Sequence, residues 1–495
     1  MKGVIILIAI LLVAASCENK KHADYIIQAD GIYTGIDSVA VHNAVAVVSG
    51  KIIAVDKYEN IAKEYETDSM INIAGYIYPG FIDAHCHFSG YALDGYKCDL
   101  IGTKSFNEIL DKLKSYEQTN TYGWIYGRGW DQNDWEVKEY PNNIALDKLF
   151  PNKPVVLKRI DGHAVLCNSK ALQLAGININ TKINGGLIEQ KDGKLTGILI
   201  DNATEPVERI LGKLPDEDAV KYLQKAEHEC YKYGLTTVVD CGVKKQEIEL
   251  LIRLYKEGKL TIGNALLLSQ DNETLEAFAE RGKYYQGQLA ITGIKMYADG
   301  SLGSRGACLI EPYTDMPKHY GLMLADKDEM NRIAMLAKAN DLQLCTHAIG
   351  DSANRAILRL YSQILPKNNT KRWRIEHAQV VKYNDYMYYS DYSIIPSVQP
   401  THAISDMPWA EKRIGKERLP TAYAFRNLLD AAGTIALGTD FPVEAINPLA
   451  TFYTAVARKD KDGNPQNGYM KENALTRFEA LRGMTIWAAH SVFIE

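Results

Sequence analysis

The chain has 495 residues, of which 46% are hydrophobic and 24% are charged, and its formal net charge is −5. This length accommodates one large α/β barrel with smaller appended structure, and the composition is that of a globular chain and not of a disordered one. The charge balance, without a dense run of Lys and Arg, argues against nucleic-acid binding, because neutralising phosphates requires a basic surface.

The first predicted element is a leader segment. An apolar run from Val4 to Val13 follows Lys2 and is too short to span a bilayer, so residues 1–16 have the layout of a secretory signal peptide. The small residues before Cys17 resemble a bacterial lipobox. We therefore expect an exported protein whose lipidated Cys17 anchors it to the cell envelope, at the periplasm or cell surface. Simple cleavage nearby, without lipidation, is the alternative.

The rest of the chain divides into two predicted domains. Residues 17–76 contain short strands with turns and predict part of a small β-sandwich. In residues 77–495, eight apolar runs alternate with helical stretches, which predicts an α/β fold, a (β/α)8 TIM barrel of parallel strands buried on both faces. The long interval after the first run predicts an inserted α+β subdomain at residues 95–232, lying over the active-site face as a lid.

Six potential metal ligands lie at or near the C-terminal ends of predicted barrel strands, where barrel enzymes carry their catalytic groups. A lone H-x-H pair or a single strand-end histidine is weak evidence, but alternate residues of one strand share a face and can approach one ion. Imidazole and carboxylate ligands suit Zn²⁺ and neighbouring divalent metals, and zinc is the predicted ion. The six are His85 and His87 in PGFIDAHCH, Lys295 in GIKMYADG, His347 in LQLCTHAIG, His377 in RIEHAQ and Asp440 in LGTDFP.

Two of the six have alternative interpretations. A lysine inside an apolar strand must be neutralised, paired or modified. Carbamylation by CO₂ would turn Lys295 into an anionic ligand that bridges two ions, whereas pairing with Asp299 or with substrate would leave an ordinary lysine and a one-metal site. An unpaired Asp440 after a buried strand would be costly, so a metal ion or an activated water is expected beside it. The alternative is an N-cap for the following helix.

The ligand order resembles that of the metal-dependent amidohydrolase superfamily. The segments GRGWDQNDW, DGHAVLCNS, KMYADGSLGSRGA, THAIGDSAN, RIEHAQ, SVQPTHA and LGTDFPV resemble amidohydrolase family 3, which includes N-substituted formamide deformylases. The resemblance covers about residues 25 to 490. It implies a hydrolase that cleaves a C–N bond, with all six residues as ligands and with His377 and Asp440 as catalytic residues. Asp440 would be the proton shuttle between the attacking water and the leaving nitrogen.

Other side chains in these motifs are candidates for substrate contact or for support of the site. Each of them could instead have a structural role, and Asp351 is expected to support a ligand or cap a helix. The candidates for hydrogen bonds to substrate are His163 and His402, followed by Trp130, Asp131, Arg305 and Gln399.

The C-terminal end differs from the family pattern. Family members continue into strands that complete the small β-sandwich, whereas this chain stops at HSVFIE. We therefore expect an incomplete sandwich, either in a fragment or in an abbreviated domain, with a sheet edge that favours homo-oligomers. The predicted function is hydrolysis of an amide-like small molecule. The alternatives are an ester, lactone or cyclic amide hydrolase with the same site, or a non-catalytic cell-surface binding lipoprotein.

Overall fold

The computed structural model describes residues 20–93, 95–211 and 214–495. The predicted signal peptide and Cys17 lie outside the described residues. Contacts divide the chain into two compact units, with the division after Pro79, close to the predicted boundary at residue 76. Within the described ranges, no helix combines the length and the apolarity that crossing a bilayer requires.

The first unit is a small β-rich domain. Its main sheet has the strand order Lys51–Asp56, His42–Val48, Tyr25–Ile32, Met70–Asn72, and Tyr76–Ile77 also pairs with Tyr25–Ile32. Lys21–His22 and Tyr65–Glu66 form a separate parallel pair. One helix, Tyr58–Glu64, buries Ile61 in a core shared with Ala44 and Ala46 of the sheet.

The second unit contains the barrel, and it confirms the predicted (β/α)8 architecture. Eight strands lie in chain order in one sheet, each parallel to its neighbours. The eighth strand returns to the first, because the backbone N–H of Asp440 donates to the carbonyl of His85 at 2.8 Å. The barrel strands, numbered first to eighth, are Phe81–Cys86, Leu235–Val243, Gly263–Ser269, Leu289–Tyr297, Gln343–Ala348, Arg374–His377, Ile395–Val398 and Ala436–Leu437.

Amphipathic helices cover the barrel from outside. In Lys245–Lys256, Ile248, Leu251 and Leu254 recur at helical spacing and are buried in the main core. The helices between and after the strands are Asp216–Lys232, Lys245–Lys256, Asn272–Phe278, Lys327–Ala339, Asp351–Ile364, Met387–Asp391, His402–Ser405, Ala410–Arg418, Phe425–Ala432, Pro448–Ala457, Arg477–Gly483 and Ile486–His490. A short strand, Tyr284–Gln286, pairs antiparallel with the fourth barrel strand.

An α+β insertion lies between the first and second barrel strands, after the helix Phe88–Leu93, as the long interval in the sequence predicts. The last predicted part of the insertion, Asp216–Lys232, is instead the helix that leads into the second barrel strand. The insertion's strands, in sheet order, are Gly186–Lys191, Lys194–Asp201, Ala164–Cys167, Val155–Arg159, Ile125–Trp130 and Cys98–Asp99, and its helices are Phe106–Glu117, Ile144–Leu149, Ser169–Leu174 and Glu205–Arg209.

Candidate active site

The predicted ligands from five different barrel strands converge at one end of the barrel. Donor atoms of His85, His377 and Asp440 lie within 4.8 Å of one another, and all three residues are buried. Asp440 Oδ1 is 3.5 Å from His85 Nε2 and 3.1 Å from His87 Nε2. Lys295 Nζ is 3.1 Å from His85 Nε2. The strand-end positions therefore place these side chains around a single point.

His347 completes a set of six side chains that is called the metal group below: His85, His87, Lys295, His347, His377 and Asp440. The ring centroid of His347 lies 4.5 Å from that of His377. His347 Nε2 and His377 Nδ1 are buried and have no hydrogen-bond partner among the described residues. Burial holds the pKa of both imidazoles well below the usual value, so both are neutral at physiological pH. Neutral imidazole is the form that binds a metal ion.

These residues fit a divalent metal ion. Buried imidazole nitrogens without partners, next to a carboxylate, form a donor set that Zn²⁺ and its neighbours bind well. Burial raises the pKa of the Asp440 carboxyl, but the adjacent imidazoles of His85, His87 and His377 together outweigh burial and hold that pKa well below its usual value, so this group is an anion at neutral pH.

Lys295 is fully buried and has no carboxylate partner at ion-pair distance within the described part of the chain. Asp299, the alternative partner suggested by the sequence, has a different role. Its carboxylate accepts backbone N–H groups from Ile349 at 2.9 Å and from Gly350 and Cys308 at 2.8 Å. Burial raises the pKa of Asp299 to about 7, although these three hydrogen bonds oppose the shift.

A buried ion pair behind the ligands escaped the sequence analysis. The Arg374 Nε donates to Glu376 Oε1 at 2.6 Å, and the other oxygen of Glu376 contacts His85 Nδ1. Arg374 Nη2 also donates to the carbonyl of Ala84 at 2.9 Å. The carboxylate thus fixes the orientation of His85, as groups behind metal ligands commonly do. The available signal was a charged R-x-E pair within a four-residue strand that is buried throughout.

Asp83 joins the last barrel strand to the first. Its carboxylate accepts from Thr439 N at 3.0 Å and from Thr439 Oγ1 at 2.6 Å. Gly438 leaves the space for this contact, since a Cβ there would lie 2.5 Å from His85 N and 2.9 Å from Asp83 Oδ1.

We expect Gly438→Ala to force the first and eighth strands apart at the metal group. Overpacking of this kind costs about 1–3 kcal/mol, and a ligand displaced by a few tenths of an ångström should lower kcat/KM more than about 10-fold. Urea unfolding and steady-state kinetics measure the two effects. Gly123→Ala is the matched control, because a Cβ at Gly123 meets nothing within 4 Å. Equal behaviour of the two variants would contradict the prediction.

A cavity of about 1230 Å³, including the part open to solvent, extends from the metal group to the insertion. His163 lines it, with Nδ1 2.8 Å from Asp201 Oδ1 and its ring centroid 5.2 Å from that of His347. His402 also lines the cavity, with Nε2 3.7 Å from Asp440 Oδ2. The structure therefore brings both histidines predicted to contact substrate to the cavity wall.

The other predicted contact residues are distributed differently. Trp130 lies in the core of the insertion and donates its indole N–H to the Leu157 carbonyl at 2.9 Å. Arg305 pairs with Asp315 at 3.0 Å, and Gln399 is buried beside the seventh strand; none of these three candidates lines the cavity. Of the other two side chains singled out, Asp131 lines the cavity in an ion pair with Arg159, and Asp351 accepts the backbone N–H of Ile310 at 2.9 Å.

Comparisons with known proteins agree with this architecture. Residues 75–495 match the model of the amidohydrolase family. The chain is 31% identical over 96% of its length to Protein LONG AFTER FAR-RED 3 of Arabidopsis thaliana, covering 84% of that protein. It is 26% identical over 90% of its length to an N-substituted formamide deformylase of Arthrobacter pascens, covering 85% of it. An uncharacterized metal-dependent hydrolase from Pyrococcus horikoshii has a similar structure, with a TM-score of 0.77, 27% identity and coverage of 95% of this chain and 93% of that one.

Proposed function

Since this chain belongs to the amidohydrolase family and is a metal-dependent hydrolase, we propose that it cleaves the C–N bond of an amide-like small molecule. The observation that carries this proposal is the position of Asp440, an ionised carboxylate that lines the cavity in contact with the buried imidazole of His85 and the partly exposed imidazole of His87. The relative of this chain from Arthrobacter pascens is named an N-substituted formamide deformylase, which denotes action on substituted formamides.

Asp440 is proposed to carry the proton that the reaction must move. Its low pKa leaves the carboxylate free to accept a proton from the attacking water. Because the same group faces the cavity, it can then deliver that proton to the nitrogen that leaves. Amide cleavage requires this second transfer, since an amine anion is a poor leaving group. An ester depends less on protonation of its leaving group, because an alkoxide leaves more readily than an amine anion. Loss of Asp440 should therefore slow amide cleavage more than ester cleavage.

The metal group would hold Zn²⁺ through His85, His87, His347, His377 and Asp440, and a carbamylated Lys295 would supply a further anionic ligand for a second ion. When bound, such ions polarise the substrate carbonyl and lower the pKa of water. The chain itself orients the donors: the Cys241 carbonyl lies 2.9 Å from His87 Nδ1, and Glu376 contacts His85 Nδ1. His163 is proposed to position the substrate, with its ring held by Asp201.

We expect N-formyl and N-acetyl amines to be hydrolysed with a larger acceleration over the uncatalysed rate than the matched formate and acetate esters. Asp440→Asn should reduce kcat/KM for the amides by about 1,000-fold or more, because both proton transfers lose their carrier. The esters should lose less. Steady-state kinetics on the matched pairs checks both statements. Turnover of esters or lactones alone would favour the alternative hydrolase and refute amide cleavage.

A further inference from the structure

The cavity wall outside the metal group carries an excess of carboxylates. Five acidic side chains face the cavity there, together with a single arginine. Asp131, Asp134 and Asp161 come from the insertion. Asp406 and Glu444 come from the loops after the seventh and eighth barrel strands. Two separate parts of the chain therefore contribute negative charge to the cavity.

The arginine, Arg159, is already neutralised. Its guanidinium lies 2.5 Å from Asp131 Oδ1 and 2.5 Å from Asp161 Oδ2, and its Nε donates to Gln132 Oε1 at 2.9 Å. Lys295, the other Lys or Arg side chain on the wall, belongs to the metal group. Among the described residues that line the cavity, an anionic substrate group thus finds no unpaired lysine or arginine.

Two of the carboxylates are half-buried and have no lysine or arginine counter-cation among the described residues. Asp406 accepts hydrogen bonds from the Tyr423 hydroxyl at 2.7 Å and from Gln379 Nε2 at 3.2 Å. Glu444 accepts one from Ser405 Oγ at 2.6 Å. Neither forms an ion pair with a lysine or arginine in the described part of the chain. Burial accordingly raises the pKa of Asp406 to about 7 and raises the pKa of Glu444 as well.

We propose that the substrate carries an organic cation, a protonated or quaternary amine, which binds between Asp406, Glu444 and Asp134 while the scissile bond lies at the metal group. This inference rests on the proposed amide hydrolysis and names its substrate class. The cation supplies the countercharge that the half-buried Asp406 and Glu444 lack. The indole of Trp409 also lines the cavity, and aromatic rings attract cations, as the Arg413 guanidinium 5.4 Å from the centroid of this ring shows. Acyl amino acids with a free carboxylate are disfavoured by the same wall.

Three acetamides of matched length test the proposal through their terminal charge: N-acetyl-1,5-diaminopentane, N-pentylacetamide and 6-acetamidohexanoate. We expect kcat/KM for the cationic amide to exceed that for the neutral one by at least about 10-fold, and that for the anionic one by about 100-fold. The preference should shrink as ionic strength rises, because salt screens the wall. Equal rates, or faster cleavage of the anionic amide, would overturn the proposal.

Isosteric variants test which carboxylates cause the preference for the cationic amide. Asp406→Asn and Glu444→Gln each keep an oxygen that accepts the existing hydrogen bonds but remove one charge. Each should lower the ratio of cationic to neutral kcat/KM about 10-fold. Asp328→Asn removes an exposed charge outside the cavity and should leave the ratio as in the wild type. Unchanged ratios in both cavity variants would overturn the assignment of these residues.

A binding measurement separates this inference from the proposed reaction. Calorimetry of the wild-type protein with pentyltrimethylammonium and with hexan-1-ol requires no hydrolysis, and a quaternary nitrogen has no lone pair for a metal. Tighter binding of the cation, lost in the two variants, would support the cation site even if no amide were cleaved, and amide hydrolysis would then be the proposal that fails. Equal binding of both probes would overturn the cation site.

Discussion

Replacing Lys295 with alanine is expected to lower the metal content from two ions per chain to one or none and to reduce kcat/KM by about 1,000-fold or more, ~4 kcal/mol in activation free energy. The physical reason is that Lys295 lies fully buried in the fourth barrel strand, 3.1 Å from His85, without a carboxylate partner in the described chain. A carbamate on Nζ would remove the positive charge and provide the bridging oxygens. Elemental analysis of protein purified with bicarbonate measures the stoichiometry.

The control variant is Lys412→Ala, which removes an exposed lysine and should retain both the metal and the activity. A short carboxylic acid added to the Lys295→Ala protein should restore part of the second metal and of the rate, since it can occupy the space of the carbamate. One ion in both proteins would indicate an ordinary lysine and a one-metal hydrolase. No metal in either would contradict the catalytic interpretation of the site.

Glu376→Gln should destabilise the metal-free protein by about 3–5 kcal/mol, because it leaves Arg374 buried beside a neutral partner. Both side chains are fully buried, and Arg374 Nε lies 2.6 Å from Glu376 Oε1. The variant should also weaken metal binding by about 10- to 100-fold, because His85 loses the anion that orients its ring. Urea unfolding in the presence of a chelator measures the first effect, and competition with a metal indicator measures the second.

A surface ion pair provides the matched comparison. Glu329 and Arg332 form a contact of 2.7 Å between side chains that are 41% and 45% exposed. Glu329→Gln should therefore change the free energy of unfolding by less than about 1 kcal/mol and leave metal affinity intact. If Glu376→Gln changed stability no more than Glu329→Gln does, the buried pair would not have the structural role assigned to it here.

The barrel and the convergence of the predicted ligands were predictable because the same segments carry two signals, an apolar strand pattern and a side chain able to bind metal near the end of the strand. Each predicted ligand lies at or near the end of an apolar, β-branched run, and parallel strands in a barrel bring such ends to one face. His85, Lys295 and His377 are far apart in the sequence, yet the strand order alone places them together. The predicted contact of His163 and His402 with the cavity also follows from their motifs, although their roles toward substrate stay predictions.

Pairings between distant segments were not predictable in this way. Glu376 stands next to His377, so the motif indicated a ligand and gave no sign that the acid serves His85 on another strand. Trp130 belongs to the motif GRGWDQNDW, but a register shift between Arg128 and Trp130 turns the indole to the face of Ile125, in the core of the insertion. The ion pairs of Arg159 were not predictable either, because its partners, Asp131 and Asp161, come from separate turns of the insertion. Such contacts depend on loop geometry, for which a single sequence has no periodic signal.

The contact between Asp83 and Thr439 joins residues that are 356 positions apart in the chain. His85 and His87 leave the ribosome early, whereas Asp440 is made after nearly nine-tenths of the sequence. Until the eighth strand docks, the nascent protein offers only part of its donor set. Full loading of the proposed site with metal would therefore come late in folding, and metal occupancy would report that the barrel has closed.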